Sequence, residues 1–244
     1  MRAQRWILLV AVVLGIGYMW LRGGFVGLGG GDSSPAPQET VASAAPATPA
    51  EPATPGVAPA SNTGASPAPQ EGLALATFAG GCFWCTEADF DHVPGVVSTT
   101  SGYTGGMVAN PTYRQVSYGG TGHAEAVEVM FDPSVVTYQA LLDHYWHNVD
   151  LFTANRQFCD AGDQYRPEIF VHDAAQRAAA EASKSRIQKQ FDQPIVVAIT
   201  AAGPFYRAED YHQDYYKKNS AQYRFYRYGC GRDARLEQIW NGHS

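Results

Sequence analysis

Two of the four cysteines stand three residues apart in Ala79-Gly-Gly-Cys-Phe-Trp-Cys-Thr-Glu87, as Cys82 and Cys85, with Phe83 and Trp84 between them. The apolar run before them, Leu73 to Phe78, reads as a strand. The two glycines read as a tight turn, and Cys82 falls where a helix begins. The positive end of a helix and its free N–H groups lower a thiol pKa, so Cys82 is expected to be a poised nucleophile. Cys-x-x-Cys is open to three readings: a thioredoxin-like disulfide motif, half of a zinc site with Cys159 and Cys230, or a nucleophile with its own resolving thiol. The first usually carries Pro or Gly between its cysteines. The second asks for another close Cys/His pair, and the sequence has none. The aromatic pair favours the third, because Phe83 and Trp84 can wall a pocket for a small apolar group. Four cysteines allow three disulfide connectivities, and the count alone does not separate structural bridges from redox-active thiols.

A nucleophilic thiolate needs a proton donor. In Glu125-Ala-Val-Glu-Val-Met-Phe131, strand alternation puts Glu125, Val127, Val129 and Phe131 on one face and Glu128 on the other. Glu125 heads the apolar face. Burial there raises a carboxyl pKa and keeps it protonated near neutrality, which suits a general acid. His123 and His212 read as structural hydrogen-bonders rather than bases.

The elements that must position these groups alternate along the chain. Strands are predicted at Leu73–Ala79, Val96–Tyr103, Ala124–Phe131, Glu168–His172 and Ile195–Ala201. Helices are predicted at Cys82–His92, Thr137–Asn148, Ala174–Phe191 and Asp233–Trp240, with turn and short helix from Gly203 to Ser220. Such alternation implies an α/β or α+β two-layer sandwich. Thr104–His123 and Val149–Tyr165 are long irregular stretches, rich in Tyr, Asp, His and Glu. Long loops of this kind in a compact domain are candidates for the site.

The rest of the chain has a different character. Arg2 and Arg5 precede an uncharged apolar run, Trp6 to Leu21, and Arg22 follows it. The run is short for the roughly 20 residues of a spanning helix. No small-x-small cleavage site follows directly, so residues 1–31 are read as a membrane anchor in preference to a cleaved signal. The leading arginines would keep the N-terminus in the cytoplasm and the domain outside. Residues 32–72 are built from Ala, Pro, Thr and Ser and hold too few large apolar groups to fold. They are read as a disordered tether, reaching on the order of 120 Å at ~3.1 Å per residue if fully extended. Residues 73–244 form the catalytic domain, extracytoplasmic and expected to act as a monomer. With 17 Lys+Arg against 23 Asp+Glu, interspersed and without a basic block, the chain is not expected to bind nucleic acid.

Several blocks in order now carry a resemblance. Gly81-Cys-Phe-Trp-Cys85, Gly102-Tyr-Thr-Gly-Gly106, Asn110-Pro-Thr-Tyr113, Gly120-Thr-Gly-His-Ala-Glu-Ala-Val127, Asn155-Arg-Gln-Phe-Cys-Asp160, Gly162-Asp-Gln-Tyr-Arg166 and Glu209-Asp-Tyr-His-Gln213 resemble the blocks of the A-type methionine sulfoxide reductases, in the variant with a second Cys. The resemblance runs from about Leu73 to Trp240. With it, the expected fold is an α+β two-layer sandwich with a mixed sheet, a ferredoxin-like core, long functional loops and an irregular C-terminal segment.

The resemblance implies that Cys82 attacks the sulfur of methionine S-sulfoxide, free or in proteins, while Glu125 protonates the leaving oxygen. Tyr113 and Tyr165 match positions whose hydroxyls hold that oxygen. Phe83 and Trp84 match the pocket for the substrate methyl group, and Asp160 matches an acidic residue that positions substrate or water. A sulfenic acid on Cys82 then condenses with a second thiol, and thioredoxin or a similar dithiol reduces the disulfide. No cofactor or metal is expected, and the macromolecular partners are oxidised proteins and that reductant. Cys85 is the first choice as resolving thiol, since residues three apart share a helix face, although the first turn would have to loosen. Cys230, in a Gly-flanked C-terminal loop, can resolve directly or relay from Cys85. Cys159 is either near the site or a packed free thiol. Two rival functions are a general thiol–disulfide oxidoreductase, which would not depend on Glu125, and a tethered binding module with two structural disulfides.

Overall fold

A computed structural model describes residues 71–242, so the expected anchor and nearly all of the expected tether lie outside the described residues. Seven residues, Ala74–Gly80, form β1, buried along almost its whole length. The Gly80-Gly81 turn follows, with Gly81 at φ +86° and no room for a side chain, since a Cβ there would meet Gln157 Cβ at 2.4 Å. Helix α1 runs over Phe83–Asp91. Strand β2 (Val96–Thr104), the short helix α2 (Tyr113–Ser117) and strand β3 (Ala124–Phe131) come next. Thr112 and Gln115 close α2 with a reciprocal capping box. Helix α3 (Tyr138–His147) is capped by Thr137, whose hydroxyl accepts from the Ala140 amide.

A two-residue hairpin follows, β4 (Arg156–Gln157) and β5 (Asp160–Ala161), then a 3₁₀ turn over Asp163–Tyr165. Strand β6 (Pro167–Val171), helix α4 (Ala174–Gln188) and strand β7 (Ala198–Ala201) form a crossover that pairs β7 parallel to β6. The chain closes with β8 (Tyr206–Arg207) and helices α5 (Tyr215–Lys218), α6 (Ser220–Gly229) and α7 (Arg232–Trp240).

The sheet order is β7-β6-β1-β3-β2-β8. Its four central strands, β6-β1-β3-β2, are antiparallel throughout, with β1 and β2 joined by α1 and β3 and β6 separated by α3. That is the ferredoxin-like core within a mixed sheet, and the molecule is α+β as expected. The main core gathers Phe78, Val127, Val129 and Phe131 from the sheet with Phe90, Leu141, Leu142, Tyr145 and Trp146 from the helices above it. At roughly 25 cal/mol per Å² of apolar area, burial of these aromatic and aliphatic groups is what holds the helical layer to the sheet.

Three differences from the expected elements matter for the site. The loop 104–123 contains α2, which presents Tyr113 at its first residue. The β7 strand begins at Ala198 rather than Ile195. The C-terminal segment gains α6 (Ser220–Gly229), which no expected element covered, between α5 and α7, which fall where short helix and a closing helix were expected. Helix α6 buries only Tyr223, so its inward face is written in tyrosine rather than in Leu or Val and gives little aliphatic periodicity to read.

Candidate active site

The site is built around the N-cap of α1. Cys82 occupies that position with φ −50° and ψ 118°, outside helical geometry, and makes no side-chain capping bond. N-cap positions usually hold Ser, Thr, Asp or Asn because their oxygen satisfies a free amide. Here the first amide goes elsewhere: the Phe83 N–H donates to Glu125 Oε2 at 3.0 Å. The amides of Cys85 and Thr86 reach the Cys82 carbonyl at 3.1 and 3.2 Å. The Cys82 side chain itself is buried.

Burial therefore decides the ionisation, and it pushes the Cys82 thiol well above its usual range, helped by the S–H bond to Cys85 and by the nearby charges of Cys85, Glu125 and Asp160. This corrects the expected lowering by the helix terminus. Cys85 moves the other way, first because it accepts the hydrogen bond from Cys82 and further because Arg232 and Arg227 lie near it, against the cost of burial. Within the pair, Cys82 donates its S–H to Cys85. Cys82 sits at the N-cap and Cys85 in the first turn, and the two side chains are in hydrogen-bond contact.

Glu125 is 2% exposed on β3, opposite Tyr103 of β2. Burial raises its pKa well above the carboxylate range, the Phe83 N–H opposes this, and the charges of Asp160 and Cys85 add to it. Tyr113 is pushed up to about 12, by burial first and then by Glu125. Tyr165 rises further, with the Glu125 charge as the leading cause, then burial. Both hydroxyls remain donors at any physiological pH. Asp160 is partly buried and its pKa is raised for that reason; its carboxylate accepts from the Tyr226 hydroxyl. Cys82, Glu125, Tyr113, Tyr165 and Asp160, drawn from five separate stretches of chain, lie close enough to perturb one another.

Aromatic rings wall the site. Phe83 is buried against Tyr103 and His212, with ring centroids 5.8 and 4.9 Å away. Trp84 stacks on Tyr215 at 3.7 Å, meets Tyr226 edge-on at 5.9 Å, and donates from Nε1 to His212 Nδ1 at 3.0 Å. Burial lowers His212 to about 3, so it is neutral and acts as the expected hydrogen-bonder. His123 also holds structure, its Nδ1 accepting from the Gly106 amide at 3.1 Å and its Nε2 lying 2.8 Å from the Val108 carbonyl oxygen.

Cys230 is not a free thiol. It forms a disulfide with Cys159, Cα–Cα 4.8 Å, while Cys82 and Cys85 are free. The expectations of Cys159 as a packed free thiol and of Cys230 as a free swinging thiol are both replaced by this bond. The donor atoms of Cys159, Asp160 and Cys230 lie within 4.8 Å of one another, with both sulfurs already committed to each other.

Several supporting residues escaped the sequence reading. Glu209 bridges the Tyr103 hydroxyl at 2.8 Å and the Tyr113 amide at 2.9 Å, fixing α2 against the sheet. Buried Gln157 holds the amide and carbonyl of Asp150 and packs against Gly81. Buried Arg232 donates to the carbonyls of Gly80 and Asn148 and pairs with Asp89. Glu209 lies in a quoted block, but nothing in that block indicates a bridging role. A lone Gln or Arg carries no local signal at all.

Residues 74–244 match the family model described as peptide methionine sulfoxide reductase. A peptide methionine sulfoxide reductase MsrA of Ligilactobacillus salivarius is 52% identical over 168 residues, 68% of this chain and 97% of that protein. One from Listeria innocua is 49% identical over 175 residues, 71% of this chain and 99% of that protein. Among solved structures, Mxr1 of Saccharomyces cerevisiae in reduced form aligns with a TM-score of 0.58 at 32% identity, covering 62% of this chain and 87% of its own. Methionine sulfoxide reductase A of Corynebacterium diphtheriae aligns at 0.57 and 34%, covering 62% and 77%.

Proposed function

The chain belongs to the peptide methionine sulfoxide reductase family, and from that premise we propose how its own residues reduce methionine sulfoxide and which thiol closes the cycle. The observation that carries the reading is the Glu125 carboxyl, protonated by burial and hydrogen-bonded to the amide directly after Cys82. Acid and nucleophile are thereby fixed on one turn.

The sulfoxide methyl group packs against Phe83 and Trp84, and its oxygen takes hydrogen bonds from Tyr113 and Tyr165. The Cys82 proton passes to Cys85, which already accepts it as a hydrogen bond. The Cys82 thiolate attacks the sulfoxide sulfur while Glu125 delivers its proton to the oxygen. The hydroxyl moves to the Cys82 sulfur, the thioether leaves as methionine, and a sulfenic acid stays behind. Cys85, now a thiol and adjacent, attacks that sulfenic acid; a Cys82–Cys85 disulfide forms and water leaves. A dithiol of the thioredoxin type reduces the disulfide and is itself oxidised, restoring both thiols. Cys85 takes this role over Cys230 because the Cys230 sulfur is bonded to Cys159.

The S epimer, free or within oxidised proteins, is the proposed substrate. An N-terminal anchor in residues 1–31 and a tether over 32–72 would place the domain outside the cytoplasm, as a monomer. The support for this is the charge and composition of those residues.

The test is reduction of each methionine sulfoxide epimer with dithiothreitol, then with thioredoxin. Consumption of the S epimer that Cys82→Ser abolishes is expected. Activity undiminished in Cys82→Ser overturns the mechanism, and full thioredoxin-dependent turnover in Cys85→Ser overturns the choice of resolving thiol.

A further inference from the structure

The β4–β5 hairpin carries Asp160 into the site, yet it has only two residue pairs, Arg156 with Ala161 and Gln157 with Asp160. A ladder that short does not fix its own orientation. Its base is held by Gln157 on Asp150 and by the Gly162 amide on the Asn155 carbonyl at 2.9 Å. Its tip, Phe158-Cys159, has Phe158 at φ +56° under the Arg232 guanidinium, and Cys159 is exposed.

Two ties reach that tip from α6. Cys159 is bonded to Cys230, and Asp160 accepts from Tyr226. Tyr226 and Cys230 are one helical turn apart, and the Cys230 amide donates to the Tyr226 carbonyl at 2.9 Å. Two consecutive residues of the hairpin are therefore clamped, one covalently and one by a hydrogen bond, to two residues of one helix edge. The same tyrosine sets its ring edge-on to Trp84, a wall of the pocket. One turn earlier, Tyr223 packs with Cys85 and Ala88.

We propose that the Cys159–Cys230 disulfide and Tyr226 are positioning elements of the reductase: they hold Asp160 at the substrate pocket, and Tyr226 braces Trp84, so that sulfoxide binds tightly only when the bond is formed. The disulfide is a strut and not a step in the electron path. The placement argues for this. Cys85 is 2% exposed and buried against Tyr223 of α6, with Trp84 and Tyr226 packed on the same cluster, while Cys159 faces solvent. The inference rests on Asp160 being a substrate-side residue.

The test is a single turnover without added reductant, because a dithiol in the assay would open the strut. Full chain with Cys82 and Cys85 free and Cys159–Cys230 bonded, confirmed by alkylation and mass, is mixed with N-acetyl-methionine sulfoxide. Rate is followed against sulfoxide concentration. In Cys159→Ser/Cys230→Ser the half-saturating concentration is expected to rise about tenfold, with the limiting rate changed less than threefold. Tyr226→Phe is expected to raise the half-saturating concentration in the same sense. Asp160→Asn is expected to cost about tenfold in the parent chain and less than twofold when added to the double serine variant, since residues acting through one contact are not additive. Wild-type chain reduced to four thiols and freed of reductant serves should the variants fold poorly; it is expected to show the weakened half-saturation and to release one methionine per chain.

Two methionines per chain from the four-thiol form would make the second cysteine pair a relay and overturn the proposal. Unchanged half-saturation in the serine variants, with Asp160→Asn impaired, also overturns it. If Asp160→Asn is itself unimpaired, the assignment of Asp160 fails and the strut fails with it, while loss of all activity in Cys82→Ser still stands for the reductase reading.

Discussion

Glu125 accepts a hydrogen bond from the Phe83 amide at 3.0 Å, so the acid is anchored to the first peptide group after the nucleophile. Any shift of the turn moves both together. Glu125→Gln keeps an oxygen for that amide and removes the proton donor. Its kcat in a dithiothreitol assay is expected to fall about 100-fold or more, the low end for loss of a general acid, with the circular dichroism spectrum unchanged. A fall of less than tenfold would remove Glu125 from the acid role.

The pH profile follows from the same group. Burial raises Glu125, so its acid form persists through neutrality. The kcat is expected to stay level from mildly acidic to neutral pH and to decline on the alkaline side as Glu125 loses its proton. In Glu125→Gln the residual rate should lack that limb. A limb of the same position and size in the variant assigns it to another group.

Glu87 and His212 pull stability in opposite directions. Burial raises Glu87 from 4.5 to about 7, against the Asp214 amide that donates to it at 3.0 Å. The unfolded chain therefore loses this proton first, and stability falls as pH rises from near 4.5 to near 7, by about 3 kcal/mol in all. His212 is lowered from 6.5 to about 3, so the unfolded chain binds its proton first on acidification, and stability falls as pH drops from near 6.5 to near 3. Between about 4.5 and 6.5 the two slopes oppose each other. Glu87→Gln is expected to make the slope of stability against pH more positive than in the parent chain, as urea denaturation at pH 5, 6 and 7 would show. A slope equal to that of the parent chain refutes the Glu87 assignment.

The Cys159–Cys230 bond spans 71 residues of sequence. Constraint of the unfolded chain over such a loop is worth about 4 kcal/mol in the chain-entropy model. Cys159→Ser/Cys230→Ser should lower the denaturation midpoint accordingly, and in calorimetry the loss should match that of wild-type chain whose bond has been reduced. A loss below about 1 kcal/mol would mean that the bond adds little to the global fold.

His212 holds the Trp84 indole N–H and packs on Phe83 and Tyr113. His212→Ala is expected to raise KM for sulfoxide about five- to tenfold through a loosened Trp84, with a shift in tryptophan emission. His212→Asn, which retains an acceptor near Nδ1, should recover part of the KM. Equal KM values in Ala and Asn would exclude the hydrogen bond as the cause.

Some of this was legible in the sequence because it is local. Alternation around Glu125 announced a buried face, and β3 runs over the expected residues. The Gly-Gly turn before Cys82 announced a helix start, and α1 begins one residue on. The sign of the Cys82 shift was not legible, since it depends first on how deeply the fold buries the thiol and then on its bond to Cys85. Nor was the Cys159 pairing, because four cysteines permit three connectivities and only the fold brings the hairpin tip to the end of α6. Glu209, Gln157 and Arg232 act across 70 or more residues or through buried backbone groups, where no periodicity points.

Arg232 gives the site a place in time. It donates to the Gly80 carbonyl, two residues before the nucleophile, from a position 152 residues later in the chain. During synthesis, Cys82 and Cys85 emerge long before the guanidinium that tucks beneath their turn and favours charge on Cys85. Contacts of such sequence separation form late in folding, because loop closure must precede them. A nascent or C-terminally clipped chain would carry the central sheet and both thiols without a finished pocket. Completion of the catalytic turn thus waits on the last helix and marks the arrival of the whole domain.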